Sequence, residues 1–132
     1  MKAFKVLVVD DEIIVAKALS RAFASRGHSV AIAHTGEEGV DKWQEFSPQV
    51  VLLDVVMPGL TGPQVIEEYK RRSTTDEQLS PAQIILMTAH SGIKGREAAM
   101  ELGAHDFIQK PFENIFELVE RVETLLGKAE QI

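Results

Sequence analysis

The sequence predicts an α/β domain: five βα repeats forming a doubly wound, five-stranded parallel sheet with helices on both faces. Three observations predict it. Five short apolar runs, rich in β-branched residues, recur along 132 residues. A stretch with apolar residues at helical spacing follows each run. The runs are continuously apolar rather than alternating, as strands buried on both faces of a parallel sheet must be. Right-handed crossovers then sort the helices into two layers around the sheet.

Residues 4–9 (FKVLVV) are the first strand. Val15, Leu19, Ala22 and Phe23 make one stripe on the first helix, and Gly27 stands where a left-handed residue ends it. Ser29–Ala33 is the second strand. Thr35 and Glu38 form a T-x-x-E capping box, and Val40 and Trp43 face inward from the helix it opens. Residues 50–53 are the third strand. Residues 55–63 carry Met-Pro-Gly and Gly-Pro and form a loop, and Thr61-x-x-Gln64 caps a helix burying Val65, Ile66 and Tyr69. Residues 73–83 are polar and unpatterned, longer than the usual connection of about 4–6 residues. Residues 84–87 are the fourth strand, 93–102 a Gly/Ala-rich helix closed by Gly103, and 105–109 the fifth strand. Ile115, Leu118, Val119, Val122, Leu125 and Leu126 make the clearest helical stripe. One domain over residues 1–127 is expected, then a polar tail over 128–132.

Composition narrows the function. The chain has no cysteine, which removes disulfides, thiolate metal sites and cysteine nucleophiles. The formal net charge of −6 lacks the basic footprint of a nucleic-acid binder. No run of about 18 apolar residues spans a membrane, and the first residues reach carboxylates too soon for a secretory signal. A cytoplasmic domain is the expectation. The histidines His28, His34, His90 and His105 lack metal-ligand spacing, and at least three are expected at the surface or an edge. No glycine lies in a G-x-G-x-x-G fingerprint.

Open α/β sheets bind ligands beyond the carboxyl ends of their strands, where strand order reverses. Strand 1 ends in Asp10-Asp11, strand 3 in Asp54, strand 4 in Thr88 and strand 5 in Lys110-Pro111. In a 2-1-3-4-5 order, strands 1 and 3 meet at that point, so three carboxylates share one pocket. Singly, each aspartate reads equally well as a helix cap or loop start. Together they repel one another, which a hard divalent cation such as Mg²⁺ relieves. Cation and lysine then make a site for a phosphate-like anion, with Thr88 as hydroxyl donor and Asp54 as the best-placed nucleophile.

The segments VLVVDDE, LLDVVMPGLTG, ILMTA and DFIQKP, in this order and at these strand ends, resemble the receiver domain of two-component response regulators over residues 3–127. The resemblance implies a CheY-like, flavodoxin-like three-layer sandwich. It implies a phosphoryl acceptor at Asp54, supplied by a histidine kinase or histidine phosphotransfer protein. It implies direct Mg²⁺ ligation by Asp11, Asp54 and the main-chain carbonyl of Val56, with Asp10 acting largely through water. Lys110 would pair with the phosphoryl group, Thr88 would bond it and move inward, and Phe107 would follow as the switch aromatic. The Lys110–Pro111 peptide is expected to be cis. The readout face would be helix 4, strand 5 and helix 5, carrying Ile93, Lys94, Ala104 and Asp106, with a downstream protein, an attached output domain or a phosphorylation-linked homodimer as partner. Phe107 in place of tyrosine, Val56, and His90 two beyond Thr88 are where this chain sets its own behaviour; the last two leave phosphoryl lifetime open.

Two other functions compete. A Mg²⁺-dependent aspartyl-phosphate phosphohydrolase would use the same acids but needs a D-x-D pair, whereas Asp54 is followed by Val55 and Val56. A flavodoxin-like cofactor binder needs a phosphate loop after strand 1, where this chain places Asp10-Asp11-Glu12. A signalling receiver, not a dedicated enzyme, is the expectation.

Overall fold

The computed structural model describes residues 2–73, 82–89 and 96–130. Five strands, β1 (Lys5–Val9), β2 (Ser29–Ala33), β3 (Val50–Asp54), β4 (Gln83–Thr88) and β5 (Asp106–Gln109), alternate with α1 (Ile13–Ser25), α2 (Gly36–Phe46), α3 (Gly62–Ser73), α4 (Arg96–Glu101) and α5 (Ile115–Glu130). Every neighbouring pair in the sheet is parallel, and the order is β2-β1-β3-β4-β5. The expected fold is therefore the observed one. The polar stretch 74–81, His90, Ile93 and Lys94 lie outside the described residues.

Strand side chains alternate between two apolar layers. Val6, Val8, Val50, Leu52, Ile85 and Met87 join Leu19 and Phe23 of α1 and Val119 and Val122 of α5. Leu7, Val9, Val51, Leu53, Ile84 and Leu86 join Val40 and Trp43 of α2 and Val65 and Ile66 of α3. The central strands β1 and β3 are buried on both faces, which is why their sequences read as unbroken apolar runs. Tyr69 is only half-buried; its ring stacks on Trp43 at 4.0 Å, fastening α3 to α2.

The helix ends follow local chemistry. The Thr61–Gln64 box is reciprocal: Thr61 N–H donates to Gln64 Oε1 at 2.9 Å, and Gln64 N–H to Thr61 Oγ1 at 3.3 Å. At Thr35 the hydroxyl accepts from Glu38 N–H at 3.1 Å. Gly27 closes α1 at φ +90°, the left-handed geometry expected of it. The polar segment expected as a tail continues α5 to Glu130. Lys128, Ala129 and Glu130 are strong helix formers, and Gly127 costs a helix interior about 1 kcal/mol without breaking it.

His28 is buried at the end of the sheet remote from the acidic strand ends. Its Nδ1 accepts the N–H of Phe4 at 3.2 Å, so its Nε2 carries the proton and donates to Glu123 Oε2 at 2.8 Å. Arg26 forks onto the same carboxylate at 2.7 and 3.2 Å. This cluster ties α5 to the α1–β2 corner. Burial pushes the Glu123 carboxyl up, but hydrogen bonds from Arg26 and His28 outweigh it and hold the group below the ordinary value of 4.5. The stability this carries is present above about pH 4.5 and is lost as pH falls through the lowered folded value. Glu123→Gln is therefore expected to lower stability by about 1–3 kcal/mol at pH 7 and by clearly less at pH 3, read from urea denaturation at the two pH values.

Candidate functional site

Parallel strands deliver their carboxyl ends to one edge. Val9 registers with Leu53, Asp54 with Met87 and Thr88 with Gln109, so Asp10, Asp54, Thr88 and Lys110 arrive together. Asp10 N–H donates to the Ala33 carbonyl at 3.0 Å, carrying the β1–β2 ladder one residue past the strand. Asp10 Oδ1 accepts the N–H of Glu12 at 2.9 Å and turns the chain into α1. From the β2 side, His34 Nδ1 donates to the Asp10 carbonyl at 3.1 Å. The loop after β3 folds back on Asp54: a Cβ at Gly62 would lie 2.5 Å from the Asp54 carbonyl oxygen, so only glycine permits the approach. Lys110 N–H donates to the Thr88 carbonyl at 2.8 Å, and the Lys110–Pro111 peptide is cis as expected.

The Lys110 ammonium stands among three carboxylates. Its Nζ lies 2.6 Å from Asp10 Oδ2, 3.2 Å from Glu12 Oε1 and 3.3 Å from Asp54 Oδ2. Asp10 and Asp54 are buried, whereas the Glu12 side chain is 59% exposed. Burial and the charge of Asp10 push the Asp54 carboxyl up to about 6, with Lys110 only partly offsetting them. Burial opposes the charge on Lys110, yet its bond to Asp10 and the carboxylates around it raise its pKa on balance. Lys110 thus serves Asp10 first and leaves Asp54 under-compensated.

A cleft of about 200 Å³ opens here, lined by Asp11, Glu12, Asp54, Val56, Thr88, Ala89 and Lys110. The carboxylates of Asp10, Glu12 and Asp54 each offer an oxygen within 4.8 Å of the others. Against a single ammonium they leave a surplus of two negative charges, which suits one hard divalent cation with all-oxygen ligands. Asp11 lines the cleft from an exposed position but is not part of that close group; Glu12 is. In the amino-acid order Glu12 stands out only as the third acid of the run 10–12.

Of the two switch candidates, Thr88 lines the cleft and Phe107 packs beside the sheet. Thr88 is buried on the cleft wall. Phe107 is half-buried against the layer shared with α2 and α3. Ala104 and Asp106, expected on the readout face, are buried. Asp106 Oδ1 accepts Arg121 Nη2 at 2.9 Å, and the same nitrogen donates to the Phe107 carbonyl at 3.0 Å. Arg121, half-exposed on α5, is the surface residue wired to Phe107.

Residues 6–123 match the model of the response regulator receiver domain. The chain is 38% identical over 126 residues to the uncharacterized transcriptional regulatory protein YkoG of Bacillus subtilis (strain 168), covering 96% of this chain and 52% of the relative. It is 36% identical to the response regulator MprA of Mycobacterium avium (strain 104), over 94% of this chain and 51% of that protein. It spans about half the length of these curated relatives. The CheY-like receiver domain protein of Methanospirillum hungatei JF-1 shares the fold, with a TM-score of 0.82 at 22% identity and 98% coverage of both chains.

A carboxyl whose folded value is raised costs stability once it ionises: the cost is absent below 3.8 and complete above about 6. Asp54→Asn is therefore expected to stabilise the metal-free domain at pH 7.5, by at most about 3 kcal/mol, with the gain shrinking as pH falls to 4. Thermal melts in chelator-treated buffer at both pH values check this.

Proposed function

The chain belongs to the response regulator receiver domain family, the phosphoacceptor modules of two-component signalling, and we propose that Asp54 is its phosphoryl acceptor. The observation that carries the proposal is the shared lysine: one ammonium 2.6 Å from Asp10 and 3.3 Å from Asp54 at the strand-order switch point. Such a site holds a carboxylate nucleophile beside a cation that can pass to an incoming anion.

Response regulators take phosphate from histidine kinases, and the proposed donor is such a kinase or a histidine phosphotransfer protein. An Asp54 oxygen attacks the donor's phosphorus; the P–O bond forms as the P–N bond breaks, and the histidine nitrogen leaves with a proton from solvent. Lys110 neutralises the phosphoryl oxygens, and the Thr88 hydroxyl donates to one of them. Asp11, Asp54 and the Val56 carbonyl would hold Mg²⁺, with Asp10 in support; the ion supplies charge neutralisation during transfer.

Drawing Thr88 toward the phosphoryl group opens space for Phe107 to turn inward. The bond from Arg121 to the Phe107 carbonyl supports a path from that motion to the surface formed by α4, β5 and α5. The coupling expected of such a switch is about 1–3 kcal/mol, a shift of populations rather than a new fold. The reader of that surface would be an attached output domain, a separate protein or a second phosphorylated copy. No described helix is long and apolar enough to cross a membrane, and the proposed place of action is the cytoplasm. The phosphohydrolase reading is not favoured, because Val56 stands where a second catalytic aspartate would be needed.

Intact mass after incubation with acetyl phosphate tests the proposal. One phosphoryl group is expected with Mg²⁺, none with chelator and none on Asp54→Asn. Lys110→Met is expected to slow the gain about a hundredfold. Phosphorylation that persists on Asp54→Asn would overturn the assignment.

A further inference from the structure

Glu12 is the member of the acidic group to which phosphoryl transfer assigns no task. It occupies the cap position of α1 with extended backbone (φ −81°, ψ 104°), yet its side chain makes no capping bond. Instead its Oε1 reaches across the cleft to Lys110 at 3.2 Å. Its carboxylate is the solvent-side member of the group with Asp10 and Asp54, and its residue lines the cleft mouth. A carboxylate so placed can serve either the ammonium or a cation entering from solvent. It cannot neutralise both at full strength.

We propose that Glu12 is a positioning residue that trades Lys110 for the divalent cation. Without the cation, Glu12 contacts the buried Lys110 ammonium from the solvent side of the cleft. With the cation held by Asp11, Asp54 and the Val56 carbonyl, the charge of Glu12 turns to it from the solvent side. Lys110 then keeps Asp10 and becomes free for the phosphoryl group. This rests on the reading of Asp54 as a Mg²⁺-assisted acceptor. The role is electrostatic, so it depends on the charge of Glu12, fades with added salt and leaves folding nearly untouched.

Calorimetric titration of the full chain with MgCl₂ tests it, comparing wild type, Glu12→Gln, Glu12→Asp and Asp54→Asn in low salt and in about 0.5 M salt. Glu12→Gln is expected to bind Mg²⁺ about three- to tenfold more weakly at low salt, with the difference largely gone at high salt. Glu12→Asp, which keeps the charge, is expected within about twofold of wild type. Melting temperatures in chelator should agree for wild type and Glu12→Gln within about two degrees, since an exposed ion pair adds little. Equal Mg²⁺ affinity of wild type and Glu12→Gln, with Asp54→Asn binding poorly, would overturn the role of Glu12 and leave the acceptor site standing. Unchanged affinity in Asp54→Asn would overturn the reading of the site itself, and the proposal with it.

Discussion

Three carboxylates gathered around one buried lysine are tolerable only because the lysine is there. Without it, Asp10 and Asp54 would be two like charges taken out of water beside one another, and one of them would have to bind a proton. Lys110 holds the group together from a third direction, 2.6 Å from Asp10 and 3.3 Å from Asp54. The compensation is incomplete by two charges, and that shortfall is the functional property. Burial and the uncompensated charge of Asp10 push the Asp54 carboxyl up to about 6, the surplus suits a divalent cation, and under the proposed function it leaves an ammonium for an incoming phosphoryl group.

The rest of the fold is arranged so that this group can exist. Strands β1 and β3 are apolar and buried from Val6 to Val9 and from Val50 to Leu53, so the polar residues that matter fall at their carboxyl ends. The parallel arrangement sends all those ends to the same edge. His34 and the backbone of Glu12 fix Asp10, Gly62 allows the following loop to close on Asp54, and the ladder from Thr88 fixes Lys110. Each support is a backbone or side-chain hydrogen bond, or a missing side chain, at a position that contributes nothing to the apolar layers.

At the opposite end of the sheet, the Arg26–Glu123–His28 cluster plays a purely structural part. It satisfies the buried N–H of Phe4 and joins α5 to the α1–β2 corner. Two residues earlier on α5, Arg121 bonds the Phe107 carbonyl, so the helix is tied to β5 as well. The α2–α3 side is held by the Trp43–Tyr69 stack, and Phe107 packs against its apolar layer.

Much of this was legible in the amino-acid order alone. Strand runs such as 50–53, the stripe from Ile115 to Leu126, and the caps at Thr35 and Thr61 are local signals, because periodicity and hydrogen-bonding chemistry act over a few residues. The fold class followed from them, and with the 2-1-3-4-5 order taken as premise so did the meeting of Asp10, Asp54, Thr88 and Lys110. The pairings that needed tertiary structure join residues far apart in the chain. Glu123 and His28 are separated by 95 positions, and Lys110 and Glu12 by 98. A buried histidine and a surface one look alike in sequence, and Glu12 reads as an ordinary helix-start acid. The packing of α5 against α1, and the reach of Lys110 across the sheet edge, decided that His28 is a structural link and that Glu12, rather than Asp11, joins Asp10 and Asp54 around the shared ammonium. Local order sets which side chains reach the edge; three-dimensional packing sets which of them face one another at bonding distance.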